Sequence, residues 1–266
     1  MNQKDLDYFK RWFIQFYNSF ALSANSDDKK NYELKELHTY EVCKLIVHIG
    51  HELGLDDRDM LIAETIGLFH DIGRFPQYCR YKTFRDNISI NHGSLGASLL
   101  ENNGVLNSLS REEQTWIIES VRFHNSFQIP YLEDPRAVFF LKLIRDADKL
   151  DIYRVVFEQY ALPEEKRASA IGDGLLTDTS EITDEIIDTL LKGQIPSYTR
   201  LKTINDYKLM QLSWVYDFNF TATVREFVKK DYLSKCWLHL PADNPKVRQA
   251  FEYITTFIHS TIMRFF

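Results

Sequence analysis

The 266-residue chain contains few cysteines, and none of the three lies close to another. Cys43, Cys79 and Cys236 form no C-x-x-C pair, which argues against a disulfide framework and indicates buried thiols in a reducing compartment. No apolar run approaches the length of a membrane span, and the first residues match neither a signal peptide nor a transit peptide. We therefore expect a cytoplasmic protein that does not enter a membrane.

A strong excess of positive charge is also missing. The formal net charge is -6, so no general electrostatic attraction draws the chain to polymeric nucleic acid or to an anionic membrane. The composition is 44% hydrophobic and 14% aromatic, which is typical of a soluble globular protein with a sizeable core.

Apolar residues recur at helical spacing along most of the chain, without repeats and without a convincing run of strands. The predicted fold class is therefore all-α. In the first part we expect helices over residues 5–20 and Leu34–Leu53, a polar loop over Ser23–Lys30, and a third helix that Asp57 or Asp59 caps.

The middle of the chain carries clear signals for helix ends. A helix should begin near His92 and end at Asn102–Gly104, and Ser110 with Glu113 forms a capping box for the next. Asp134 followed by Pro135 starts a long helix. Further on, we expect a linker over Pro163–Gly174, a helix ending at Lys192–Gly193, helices over 206–220 and 223–238, and a last helix after Pro245.

A histidine and an aspartate, His70 and Asp71, stand side by side after the apolar run Met60–Phe69. Burying both is costly without a partner, and a metal cation is the usual partner of such a pair. A polar corner at a helix end, with Gly73 as the stop signal, explains the pair equally well.

Other polar residues lie where a core is expected. His38, His92 and His124 fall on core-facing or helix-end positions, and Asp148 and Asp151 share an otherwise apolar stripe. Each histidine alone fits an ordinary hydrogen-bonded core residue. Together with His70, Asp71 and Asp148, these histidines form a set whose convergence on inward-facing positions is improbable by chance.

The segment Arg74–Arg85, which we expect to be a loop, mixes aromatic and basic residues. Such a mixture suits an anionic substrate with a flat group, and it suits an aromatic loop packed on the core equally well.

Four short motifs occur in a characteristic order: His38-Thr39-Tyr40-Glu41-Val42, His70-Asp71-Ile72-Gly73, His92-Gly93-Ser94-Leu95-Gly96-Ala97 and Asp146-Ala147-Asp148-Lys149-Leu150-Asp151. Over roughly residues 30–160 this order resembles the HD-domain metal-dependent phosphohydrolase superfamily. The resemblance implies an HD-type helical domain over residues 1–160, and residues 161–266 are then expected to be a helical extension packed on it.

The resemblance implies a metal site built from six residues. His38, His70, Asp71 and Asp148 would hold one divalent ion, and in subfamilies with two more histidines the equivalents of His92 and His124 bind a second ion that Asp71 bridges. Ligands of this kind suit one or two ions of Mn, Mg, Fe, Ni or Zn.

The resemblance also implies hydrolysis of a phosphoester by metal-activated water, in which Asp71 takes part directly. The expected substrate is small, anionic and phosphorylated, such as a nucleotide. Arg74, Lys149 and Arg145 are candidates for holding its phosphate, and Asp151 for orienting a ligand or relaying a proton. A structural ion pair is an equally good hypothesis for each of these four residues.

Two other functions fit the same residues. One is a di-iron oxygenase of the HD fold, and the other is a non-catalytic module that binds a metal or a nucleotide. The sequence leaves open the substrate, the metal, the choice between monoester and diester, the role of the second half and the presence of a homodimer.

Overall fold

The computed structural model describes residues 1–170 and 181–263, and within these ranges it contains helices and no strand. The predicted all-α class is confirmed. The chain divides into two compact units, Met1–Ile171 and Gly172–Phe266. The first unit contains α1 (Gln3–Ala21), α2 (Ser26–Glu52), α3 (Asp57–Phe69), α4 (Arg74–Tyr81), α5 (His92–Asn102), α6 (Arg111–Phe123) and α7 (Pro135–Ala161), with short 3-10 turns at Asp86–Ile88 and Glu164–Lys166.

Helix α1 begins at a capping box formed by Asn2 and Asp5. Its apolar face is buried, as its aromatic spacing predicts, and α1 is the predicted helix over residues 5–20 extended by a residue or two at each end. The face packs around the fully buried ring of Phe75 from α4, whose centroid lies within 6.4 Å of several other rings, those of Phe13, Phe16, Tyr17, Phe20 and Tyr32. This aromatic cluster anchors α4 to α1 and α2.

Helix α2 begins at Ser26, so the predicted loop over Ser23–Lys30 is confirmed only for its first three residues, and the predicted start at Leu34 is wrong. The side chain of Asn25 accepts hydrogen bonds from the backbone of Asp27 and Asp28, which satisfies free amides of the first turn. A polar stretch can therefore belong to a helix when it supplies its own cap.

Helix α3 is capped by Asp56 rather than by Asp57 or Asp59. Its last residue is Phe69, and Gly73 is not its stop signal, because Gly73 has a φ of -68° and precedes the first residue of α4. A Cβ atom on Gly73 would lie 2.2 Å from the carbonyl oxygen of His92. The glycine thus allows the start of α4 to approach the start of α5.

The predicted loop at Arg74–Arg85 is also wrong over most of its length, because Arg74–Tyr81 forms α4. Phe75 and Tyr78 are buried in the core, so the packing interpretation holds for these two aromatic residues. The bend at the end of α4 comes at Lys82, whose φ is +53°.

The predicted boundaries of the next helices are confirmed. Asn91 caps α5, the Ser110 and Glu113 capping box starts α6, and Asp134 caps α7 with Pro135 in its first position. Cys43 and Cys236 are buried as expected, whereas Cys79 is exposed, because α4 turns that residue toward solvent.

The second unit contains α8 (Asp184–Leu191), α9 (Ile204–Ser213), α10 (Thr221–Lys229), α11 (Tyr232–Trp237) and α12 (Pro245–Met263). The helix predicted over 206–220 starts earlier and becomes a 3-10 turn at Trp214–Asp217. The helix predicted over 223–238 is two helices, because Asp231 adopts a φ of +53° between them. The linker predicted at Pro163–Gly174 lies partly outside the described residues. No described helix combines the length and the apolar character that a membrane span requires.

Candidate metal centre

Five helices of the first unit place polar side chains around one point in its core. His38 lies on α2, His92 is the first residue of α5, and Asp148 lies on α7. His70 and His124 follow the last residues of α3 and α6, and Asp71 comes directly after His70. All four histidines and Asp71 are buried. The structure therefore brings together all six residues that the sequence suggested as metal ligands.

The first cluster consists of His38, His70, Asp71 and Asp148. The Nε2 atoms of the two histidines are 3.2 Å apart. Oδ1 of Asp148 is 3.1 Å from Nε2 of His38 and 3.7 Å from that of His70. Oδ2 of Asp71 lies at 3.5 Å and 3.7 Å from the same two nitrogens.

The second cluster consists of His92 and His124 with the other oxygen of Asp71. The two Nε2 atoms are 3.0 Å apart. Oδ1 of Asp71 is 3.2 Å from Nε2 of His92 and 3.7 Å from that of His124. Asp71 thus directs one oxygen to each pair of histidines, which is the arrangement of a carboxylate between two cation positions.

In each pair, one histidine is oriented by a backbone carbonyl of its own helix. Nδ1 of His70 donates to the carbonyl of Gly67, and Nδ1 of His124 donates to the carbonyl of Val121, both at 2.8 Å. Because a carbonyl can only accept, the Nδ1 atom must carry the proton. In a neutral ring the Nε2 atom then presents a lone pair to the cluster.

The other histidine of each pair is oriented by a carboxylate. Nδ1 of His38 lies 2.7 Å from Oδ2 of Asp151, and Nδ1 of His92 lies 2.7 Å from Oδ2 of Asp86. Asp151 is itself held by Arg154, whose guanidinium donates to both of its oxygens at 2.6 and 2.9 Å. A carboxylate that binds Nδ1 fixes the orientation of the ring. It also makes Nε2, which faces the cluster, a better metal ligand.

The hydrogen bonds of the four Nδ1 atoms provide a test of whether these residues fit a metal ion. In the neutral rings, lone pairs of two histidines face each other at 3.2 Å in one cluster and at 3.0 Å in the other, and neither pair can form a hydrogen bond. Carboxylate oxygens complete each cluster with further acceptors. A cation removes the repulsion, and imidazole with carboxylate is a common donor set for divalent transition metals. The residues fit.

The electrostatics of the first cluster agree with this interpretation. Burial and Lys35 lower the pKa of His38, but hydrogen bonds with Asp148 and Asp151 outweigh them and raise it to about 9. Burial lowers the pKa of His70 to about 3, against the attraction of Asp71 and Asp148. The carboxylates beside His38 thus favour a positive charge at this pair of nitrogens, which is the charge that a bound metal ion supplies.

Two of the cations suggested for phosphate binding donate hydrogen bonds to neighbouring segments of the protein. Nη1 of Arg74 donates to three oxygens, those of the Gln77 side chain at 2.8 Å, the Phe84 backbone at 2.6 Å and the Asp86 side chain at 3.0 Å. Arg145 is buried and donates to the backbone carbonyls of His124 and Ser126. Both side chains hold the segments that carry site residues.

The other two suggested residues lie on α7. Asp151 is buried against His38, so its geometry is that of a group that orients a ligand. Lys149 is half-buried and follows Asp148 in the same helix.

Three residues of the site were missed in the sequence. Lys35 lies one turn before His38 and places its Nζ atom 2.7 Å from Oδ2 of Asp71. Asp86, in a 3-10 turn, orients His92, and Asn125 donates to Asp86 at 2.8 Å. The three-residue spacing before His38 was a usable signal for Lys35. Asp86 and Asn125 lie between helices, where no periodicity marks them.

Comparison with known proteins agrees with the geometry. Residues 37–153 match the model of the HD-domain family, and this segment contains every one of the six clustered residues. The chain carries an HD domain. Neither the curated proteins nor the solved structures yield a match. The HD-domain superfamily inferred from the motifs is thus confirmed, and an HD domain with this histidine and aspartate cluster suggests a metal-dependent hydrolase.

Proposed function

We propose that this HD domain is a metal-dependent phosphohydrolase that cleaves a phosphoester of a nucleotide or another small phosphorylated metabolite. One observation carries the proposal. The two oxygens of Asp71 face two separate histidine pairs, and in the neutral rings the Nε2 atoms of each pair are acceptors only. Without a metal ion, burying so many hydrogen-bond acceptors against one another would cost free energy that nothing offsets.

The residues have distinct roles in the proposed site. His38, His70 and Asp148 would hold one divalent ion, His92 and His124 a second, and Asp71 would contribute an oxygen to each. Such ions lower the pKa of bound water and stabilise negative charge that develops on phosphoryl oxygens. Asp151 and Asp86 keep the imidazole rings of His38 and His92 in the tautomer that presents Nε2 to the site.

The charge of the site favours an anionic substrate. Lys35 and Arg74 lie beside Asp71, at 2.7 Å from Oδ2 and 3.4 Å from Oδ1. Two divalent ions added to these cations exceed the charge of the aspartates around them, and a phosphate group supplies the missing negative charge.

Metal content and activity test the proposal directly. We expect protein purified without chelators, or incubated with Mn, to hold about two transition-metal ions per chain. Asp71→Ala should lose them, and Glu101→Gln, an exposed change on α5, should not. The Mn-loaded wild type should then hydrolyse members of a panel of phosphomonoesters, phosphodiesters and nucleotides.

The alternatives give different results in the same assays. A protein that binds iron and consumes oxygen without releasing phosphate would be an oxygenase of the HD fold. A protein that holds metal and binds nucleotides without turnover would be a binding module. Absence of metal after incubation with Mn, Ni and Zn would refute the proposed function.

A further inference from the structure

Lys35 occupies an unusual position for a structural lysine. Its side chain is only 15% exposed, and its Nζ atom lies 2.7 Å from Oδ2 of Asp71. That oxygen is the one that faces His38 and His70. The ring of Phe84 lies on another side of the ammonium group, with its centroid 5.3 Å from Nζ. The lysine is therefore confined next to the first cluster.

The arginines around the site keep their partners whether or not a metal is bound. Arg74 donates to a backbone carbonyl and to Asp86, Arg145 donates to backbone carbonyls, and Arg154 donates to Asp151. None of these hydrogen-bond acceptors is a proposed ligand, although Nε of Arg74 also forms a longer ion pair with Oδ1 of Asp71, at 3.4 Å. The ion pair described for Lys35, in contrast, is with Asp71, whose oxygen the proposed metal also requires.

A bound metal changes the surroundings of Lys35 more than those of the arginines. When Oδ2 of Asp71 coordinates a divalent ion, most of its negative charge is shared with that ion. The ammonium group then lies beside a stronger cation and has lost much of its counter-charge. An anion that touches both the metal and the ammonium group relieves this repulsion.

We propose that Lys35 binds a phosphoryl oxygen of the substrate at the His38 and His70 position. The inference rests on the proposed function and adds to it the residue that recognises the phosphate. Substrate recognition then comes from α2, the helix that also carries His38, so that one rigid element positions both the metal and the phosphate. Lysine suits this role because its ammonium group can turn among several acceptors.

The test measures binding of inorganic phosphate to the Mn-loaded protein by calorimetry, together with metal content. We expect Lys35→Met to weaken phosphate binding about 10- to 100-fold, as loss of a charge-assisted hydrogen bond predicts. Its metal content should equal that of the wild type. Lys35→Arg should recover part of the affinity, because it restores the positive charge. Lys10→Met is the matched control, since Lys10 forms a half-exposed ion pair with Glu64 on the same unit.

The outcomes separate the two proposals. Equal phosphate affinity in Lys35→Met and the wild type, with normal metal content, would overturn the role of Lys35 and leave the proposed function standing. Metal uptake by the wild type without phosphate binding would likewise overturn that role. A wild type that takes up no metal would refute the proposed function and the inference together. If Lys35→Met does not fold, Lys35→Gln, which keeps a polar end, provides the same comparison.

Discussion

Replacing Asp86 with asparagine should weaken one of the two proposed metal positions and spare the other. Asp86 orients His92, which belongs to the second cluster only. Its carboxylate accepts four hydrogen bonds, from His92 Nδ1 at 2.7 Å, Asn125 Nδ2 at 2.8 Å, Gln77 Nε2 at 2.8 Å and Arg74 Nη1 at 3.0 Å. These bonds keep the pKa of Asp86 well below its usual value, although burial raises it.

The size of the effect follows from this hydrogen bonding. An asparagine side chain has one oxygen, so whichever way the amide turns, its NH2 group faces donors that the carboxylate had satisfied. Either the ring of His92 then loses its negatively charged partner, or the turn that carries residue 86 moves. Loss of such a carboxylate typically costs 10- to 100-fold in metal affinity, or about 1.4 to 2.8 kcal/mol.

Titration with Mn and electron paramagnetic resonance can distinguish the two positions. We expect Asp86→Asn to keep one tightly bound ion and to bind the second with the reduced affinity, so that the signal of a coupled Mn pair disappears at low metal. Asp151→Asn, which acts on His38, should weaken the other position. Two ions bound to Asp86→Asn with wild-type affinity would refute the reasoning, and so would loss of both ions.

Two further predictions concern stability. Gly73→Ala should destabilise the first unit by about 1 to 3 kcal/mol, because the added Cβ meets the His92 carbonyl, and urea unfolding that matches the wild type would contradict the described packing. Burial raises the pKa of Glu113, but hydrogen bonds from the chain's amino group, Ser110 and Arg58 lower it to about 2, below its ordinary 4.5. Because the folded-state pKa is lowered, the stabilisation is present above pH 4.5 and is lost as the pH falls toward 2. Urea unfolding of Glu113→Gln should show a flatter pH dependence over this range, and an unchanged slope would contradict the ion pair.

Much of the fold could be predicted because apolar periodicity and capping residues in the sequence indicate the helices. The Ser110 box and the Asp134-Pro135 pair mark true helix starts. One wrong boundary arose where tertiary packing decides. Arg74–Tyr81 looks like a polar aromatic loop in isolation, yet it forms a helix because the ring of Phe75 is fully buried among aromatic residues of α1 and α2.

The site could be predicted where its residues lie on helices and not where they lie in turns. His38, His70, His92, His124 and Asp148 are polar residues at positions that should be apolar, and that conflict is visible in the sequence. Asp86 shows no such conflict, since aspartate is ordinary in a turn. Its importance comes from the four donors around it, which lie on α4, on α5 and directly after α6.

The ends of α3 and α6 have a consequence for the strength of the site. His70 and His124 sit immediately after the last turns of these helices, so both helices direct their carboxyl ends toward the clusters. The aligned peptide dipoles give each such end roughly half a negative elementary charge. This attraction for cations is built into the backbone, so no substitution of a single aspartate removes it.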